Sequence, residues 1–189
     1  MLFLKSARPT SRNNNDNREN GMIYPRTMNH VGITVTDIDA AVKWYRELFG
    51  CRVIMAPIAV ADDGSYFAEI LADIFGPGFD QVKMAHLTTG DGIGIELFEF
   101  AKPKSVRPDD NFEFWKTGIF HICLTDPEIE TLAETIAASG GKQRSKVWQL
   151  WPDKPYKVCY CEDPWGNIIE ISSHSYEQTW SNYEQPHKP

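Results

Sequence analysis

Two stretches of this chain alternate apolar and polar positions and then pass directly into a helical spacing. In Met28-Asn29-His30-Val31-Gly32-Ile33-Thr34-Val35, the residues Val31, Ile33 and Val35 alternate with His30, Gly32 and Thr34. That period of two predicts a strand with one apolar face. Thr36 stands at the N-cap position of the next element, with Asp39 three residues on, close to a capping box. Ile38, Ala41, Val42, Tyr45, Leu48 and Phe49 then recur at helical spacing, and Gly50 closes the helix. The pattern returns at Gly118-Ile119-Phe120-His121-Ile122-Cys123-Leu124-Thr125. There Phe120, Ile122 and Leu124 form the apolar face and His121 points the other way. Asp126 is expected to cap a helix with Pro127 at its first position. Its buried stripe is Ile129, Leu132, Ala133 and Ile136, and Gly140-Gly141 ends it.

Extended segments follow each helix, over residues 52–55 and 82–100 in the first copy and 146–148 and 156–171 in the second. Both copies read βαβββ. They differ in length, with 66 positions from His30 to Glu96 but 49 from His121 to Glu170. The surplus falls in residues 59–81. There Tyr66-Phe67-Ala68-Glu69-Ile70-Leu71-Ala72-Asp73-Ile74-Phe75 predicts a short helix ended by Gly76-Pro77-Gly78. Inserts of this kind often serve as lids or pocket walls. The organisation expected is an N-terminal arm over residues 1–26, a domain over 27–174 with modules 27–105 and 115–174, and a tail over 175–189. The arm is polar and Asn-rich with almost nothing to bury, which predicts disorder. The tail carries Tyr176, Trp180 and Tyr183 and is expected to dock on the domain.

Parity singles out four ionisable residues. Along Gly92-Ile93-Gly94-Ile95-Glu96-Leu97-Phe98-Glu99-Phe100, one face holds Ile93, Ile95 and Leu97, and the other holds Gly94, Glu96, Phe98 and Phe100. Glu99 falls on the first face and is expected to point away from any site. Glu170 lies opposite Ile169 and Ile171. His30, Glu96, His121 and Glu170 therefore sit on the face turned away from the helices, and a curled sheet aims all four into one space. Two imidazoles and two carboxylates suit a divalent cation, which offsets their desolvation.

Charge and cysteine content exclude some partners. A net charge of −7 and a pI near 5.2 argue against nucleic acid, whose phosphates need a basic face. No apolar run approaches the ~20 residues that cross a membrane. Met1-Leu2-Phe3-Leu4 is cut short by Lys5 and does not form a leader, so a cytoplasmic location is expected, with Cys51, Cys123, Cys159 and Cys161 as thiols. Cys159 and Cys161 share one strand face, where packing is the expected role.

The segment His30-Val31-Gly32-Ile33-Thr34-Val35 with Asp37 to Phe49 and Gly50 resembles the first module of the vicinal-oxygen-chelate superfamily, the glyoxalase I, bleomycin resistance protein and extradiol dioxygenase type. Ile95-Glu96-Leu97 resembles its second metal position, and Asp163-Pro164-Trp165-Gly166-Asn167-Ile168-Ile169-Glu170-Ile171 its final hairpin, the most specific of the three. The resemblance covers residues 27–173. It implies an α+β fold of two βαβββ modules forming a U-shaped half-barrel around a metal site, helices outside. It also implies a homodimer, and a small-molecule substrate that chelates the metal through neighbouring oxygens.

Fold resemblance does not settle the reaction. A carboxylate at the second position, Glu96, resembles the glyoxalase I and epimerase branch. That branch implies a lyase or isomerase that moves a proton next to a metal-chelated carbonyl, with Glu170 as base and Glu96 as second choice. The cation is one divalent ion among Zn, Ni, Co, Mn or Fe. Phe98, Phe100, Trp148, Trp151 and Tyr156 are the candidate substrate pocket, which points to a flat or bulky apolar substrate. Two alternatives stay open: Fe(II)-dependent extradiol ring cleavage using His30, His121 and Glu170 alone, and metal-free binding of a hydrophobic toxin or antibiotic.

Overall fold

The computed structural model describes residues 25–181. β1 (His30–Thr34) leads into α1 (Ile38–Phe49). The helix starts there because Asp37, rather than Thr36, is its N-cap: the Asp37 backbone is extended and its side chain accepts from the Ala40 N–H. A second carboxylate reaches the same turn from a distant strand, where Glu99 Oε2 accepts from the Ile38 N–H at 2.9 Å. The helix ends at Gly50, whose φ of 63° is left-handed. β2 (Arg52–Ala61), α2 (Tyr66–Phe75), β3 (Gln81–Thr88) and β4 (Gly94–Lys102) complete the first module. Its sheet runs β1-β4-β3-β2, with β1 parallel to β4 and the other pairs antiparallel.

The second module repeats this with β5 (Ile122–Thr125), α3 (Ile129–Ala138), β6 (Lys142–Gln143), β7 (Trp148–Gln149), β8 (Lys157–Glu162) and β9 (Ile168–Ser172). Its sheet runs β5-β9-β8-β6, with β7 also on β8, and β5 is parallel to β9. Two local expectations change here. Asp126 does not sit at the helix N-cap. It closes an Asx turn by accepting from the Glu128 N–H, Pro127 lies in that turn, and the helix begins at Ile129. The outer strand is also split, because the Arg144 and Ser145 N–H groups both turn onto the Tyr160 carbonyl and break the ladder between β6 and β7.

Both modules share one apolar core. α1 contributes Ile38, Ala41, Trp44 and Tyr45, and α3 contributes Ile129, Leu132, Ala133 and Ile136. Ile33, Ala85, Leu87, Ile95, Leu97, Ile169 and Ile171 come from the helix-facing sides of the two sheets. Cys159 and Cys161 belong to this core as packing residues, their sulfurs 3.9 Å apart. Polar clamps cross it. Tyr45 O–H donates to Asp163 Oδ2 at 2.9 Å, Trp44 Nε1 to the Ser139 carbonyl at 3.0 Å, and Asn167 Nδ2 to the Thr34 carbonyl at 3.3 Å. Asp163 also accepts from the backbone N–H groups of Trp165 and Asn167, so the hairpin between β8 and β9 is tied to the first module's helix.

A second, smaller core lies on the opposite face of the first sheet. There Leu71 of α2 packs with Phe79, Val82 and Met84, and Met55, Val60, Phe98 and Phe100 flank them. The 59–81 insert is thus a cover over one end of the face that carries Glu96. The docking tail has a local cause as well: α4 (Tyr176–Ser181) sets Trp180 against Trp151, ring centroids 5.6 Å apart. Residues 1–24 and 182–189, where the disordered arm and the end of the tail are expected, lie outside the described residues. No helix among the described residues is long and apolar enough to cross a membrane.

Candidate metal centre

His30 opens β1, opposite Gly94 of β4, and Gly32 is opposite Glu96. Gly94 is needed there: a Cβ at that position would stand 2.9 Å from His30 Cβ, so only glycine lets the histidine lie across the neighbouring strand. His30 Nδ1 lies 2.7 Å from Asn29 Oδ1 and donates to it. In the neutral ring this leaves a lone pair on Nε2, which faces Glu96 Oε2 at 3.4 Å. A lone pair facing a carboxylate oxygen is the arrangement that a shared cation relieves. The other oxygen of Glu96 has its own imidazole, His86 Nδ1 at 3.4 Å, reaching across from β3.

The second module builds a matching pair. His121, one residue ahead of β5, places Nε2 2.8 Å from Glu170 Oε2 on β9. Its Nδ1 is buried without a hydrogen-bond partner among the described residues, so no polar contact holds the far side of the ring. Tyr160 of β8 is the register partner of Glu170, and its O–H donates to the same Oε2 at 2.8 Å. Burial first, and the Glu170 carboxylate second, push the Tyr160 phenol well above its ordinary range, so it stays protonated and donating. Cys123 also neighbours Glu170, and burial with that charge pushes its thiol up to about 12.

All four expected ligands therefore stand in His–Glu contacts, but as two pairs rather than one set. Among the described residues, no three His, Cys, Asp or Glu side chains are grouped so as to hold an ion. Each pair offers one imidazole nitrogen and one carboxylate oxygen, half of the expected N₂O₂ set. A cleft of about 810 Å³ is walled by apolar residues such as Val31, Leu48, Phe49, Ile95 and Leu132; of the four, His121 alone lines it. A smaller one of about 290 Å³ runs between β1 and residues 119–122, with Gly32, Thr34, His121 and Asn167 on its walls.

The aromatic residues expected around a substrate do not form one surface. Phe98 and Phe100 stack 6.0 Å apart under the edge of Phe75, because α2 folds back over them. Trp151 and Tyr156 pack on one another, with Trp180 and His174 of the C-terminal segment against them. Trp148 is exposed, with the Lys146 ammonium 3.6 Å above its ring. The sequence reading missed His86 and Tyr160. Both were detectable by parity: His86 follows Val82 and Met84 on one face of its strand, and Tyr160 lies between the two core cysteines and so points away from the core.

The model of the Glyoxalase/Bleomycin resistance protein/Dioxygenase superfamily matches residues 27–171. A 2-epi-5-epi-valiolone epimerase from Actinomyces sp. is 26% identical over 147 residues, 76% of this chain and 77% of that protein. A lactoylglutathione lyase from Schizosaccharomyces pombe is 28% identical over 151 residues, covering 78% of this chain and 47% of the longer enzyme. Among solved structures, a glyoxalase family protein from Bacillus cereus superposes with a TM-score of 0.65 at 22% identity, over 80% of this chain and 95% of that one. A fosfomycin resistance protein variant from Listeria monocytogenes, crystallised with Mn(II) and a dihydroxypropylphosphonic acid, gives 0.53 at 14% identity, over 82% and 98%. The family match spans both βαβββ modules, and the chain belongs to the glyoxalase/bleomycin resistance protein/dioxygenase superfamily.

Proposed function

We propose that this chain is a metal-dependent isomerase or lyase that moves a proton at a carbon next to a carbonyl, with its site completed by a second copy of the chain. The observation that carries the reading is the pair of matched His–Glu contacts, His30 with Glu96 and His121 with Glu170, at equivalent places in two repeated modules. These four would hold one divalent cation among Zn, Ni, Co, Mn or Fe. Bound there, such a cation supplies Lewis acidity to a substrate carbonyl and so makes the neighbouring C–H acidic. Glu170 removes and returns the proton. Tyr160 and His121 both engage its Oε2, and Oε1 accepts no hydrogen bond among the described residues. A positioned base of this kind is worth about 10²–10⁴-fold in rate.

The Actinomyces relative is an epimerase that this chain covers over three quarters of its length, and epimerisation beside a carbonyl is proton removal and return. A glutathione adduct fits less well. Arg107 and Arg144, which could grip a charged tripeptide, both close on Glu162, and Lys157 closes on Glu130. A second copy is supported by the separation of the two pairs and by the exposed Phe114, Trp115 and Ile119 just ahead of His121.

Two experiments test this. Metal-loaded protein is incubated in D₂O with a cyclitol ketone, the hemithioacetal of methylglyoxal, an acyl-CoA thioester and a catechol. Metal-dependent deuterium uptake beside a carbonyl is expected with one of the first three. Oxygen consumption on the catechol by iron-loaded protein, or tight metal-free binding of an apolar ligand, would contradict the reading. Separately, inactive His30→Ala and His121→Ala proteins are mixed and allowed to exchange subunits. Up to about a quarter of wild-type activity should return, since half the dimers are then mixed and each holds one intact site. No recovery would show that each chain completes its own site.

A further inference from the structure

We infer that His86 is a positioning residue for Glu96: its imidazole holds one carboxylate oxygen so that the other is presented beside His30. The inference rests on the metal reading above and assigns a role to a residue outside the expected ligand set. His86 and Glu96 are direct register partners on β3 and β4, so their side chains leave the same sheet face side by side. The contacts divide cleanly between the two oxygens, with His86 Nδ1 on Oε1 and His30 Nε2 on Oε2, each at 3.4 Å. On that face Val82 and Met84 precede it along the strand, Met55 lies opposite on β2, and Thr88, which follows it, turns its hydroxyl onto the Thr89 and Ile93 carbonyls. Glu96 is its one hydrogen-bonding or ionic partner among the described residues. An apolar side chain would continue this surface, so a half-buried imidazole facing a single carboxylate has a specific task.

A carboxylate that ligates through one oxygen can still rotate about its last bond. A donor on the second oxygen removes that freedom and also raises the selectivity for one binding geometry. With its proton on Nδ1, His86 would supply such a donor to Glu96 Oε1, 3.4 Å away. In the second sheet Tyr160 is likewise the register partner of Glu170 on the neighbouring strand, but it donates to the same Oε2 that faces His121. The two modules thus place a polar partner at the same strand position, with a different residue type and a different choice of oxygen in each.

The test uses the full chain and Mn(II) as probe, with affinity measured by electron paramagnetic resonance. His86→Ala should weaken Mn(II) binding about 10–100-fold, the usual effect of losing an outer partner of a ligand. His86→Asn, whose amide nitrogen falls where Nδ1 was, should bind within a few-fold of wild type. His86→Gln, which places its nitrogen at the Nε2 position, should not be rescued. All three should keep the wild-type melting temperature within a few degrees. Unchanged Mn(II) affinity in His86→Ala, or equal weakening in the Asn and Gln variants, would overturn the assignment. A second readout needs no metal: ¹⁵N resonances of the metal-free protein should show His86 protonated at Nδ1, switching to Nε2 in Glu96→Ala. An Nε2–H tautomer in the wild type would overturn it too. Failure of the metal reading looks different, since wild type and every variant would then take up no Mn(II) alike.

Discussion

The Tyr160 hydroxyl donates to Glu170 Oε2 at 2.8 Å, onto the same oxygen that lies 2.8 Å from His121 Nε2. One oxygen of the carboxylate thus takes both contacts while the other accepts no hydrogen bond among the described residues. Tyr160→Phe removes the hydroxyl donor and keeps the ring, which packs against Phe112 and Phe120. Turnover should fall about 10–100-fold, as for loss of an outer partner, with a melting temperature within a few degrees of wild type. Steady-state rates and thermal melts on the same preparation check this, and an unchanged kcat would remove Tyr160 from the mechanism.

Glu96 and Glu99, three residues apart on β4, serve opposite faces. Glu96 faces the two histidines, whereas Glu99 accepts from the Ile38 N–H at the start of α1 and lies 3.8 Å from Lys83 Nζ. Glu96→Gln should lose metal and leave stability nearly unchanged. Glu99→Gln should keep its metal and lose about 0.3–1 kcal/mol, because a neutral amide is a poorer partner for a helix N-terminus. Elemental analysis and denaturant melts separate the two effects. Equal metal loss in both variants would contradict the strand parity.

Tyr45 and Asp163 make the deepest polar contact between the modules. Burial raises the Asp163 pKa above the ordinary carboxylate value, and the donors around it, Tyr45 among them, pull it back down. The raised value means that ionised Asp163 costs stability at neutral pH, and this cost fades as the pH falls through its folded-state pKa. Tyr45→Phe removes a donor that favours the ionised form and raises that pKa further. Its deficit should be about 1.5–3 kcal/mol near neutral pH and should shrink as the pH drops and the carboxylate takes up its proton. Melts of both proteins across acidic to neutral pH measure it, and a deficit that grows on acidification would contradict this account.

Much of the fold was legible because its signals are local. Alternation marked β1 and β4, and the helical stripe with Gly76 marked α2 at Tyr66–Phe75. Asp37 displaced Thr36 as N-cap because both residue types cap well and the choice rests on backbone angles that sequence does not carry. The site was legible only one strand at a time. Parity gave the face of Glu96 and of Glu170, but His86 and Tyr160 matter through the register between strands, a non-local property. The same limit hid the separation of the ligands into two pairs, which depends on how whole modules sit together. It also hid the burial of Phe98 and Phe100 beneath Phe75, since the course of the insert across the sheet leaves no mark on β4 itself.

Proton transfer by Glu170 at a metal held by His30, Glu96, His121 and Glu170 stands or falls on the Glu170→Gln variant. Metal occupancy and turnover are measured on one sample of that variant, beside His121→Ala. Glu170→Gln should keep much of its metal, because three ligands remain and an amide oxygen still coordinates weakly, while turnover falls about 10²–10⁴-fold. His121→Ala should lose metal and activity together. Metal leaving with the Glu170 carboxylate would contradict the account in favour of iron-dependent ring cleavage by a two-histidine, one-carboxylate set. Retained metal with unimpaired turnover would contradict it from the other side and take the base away from Glu170.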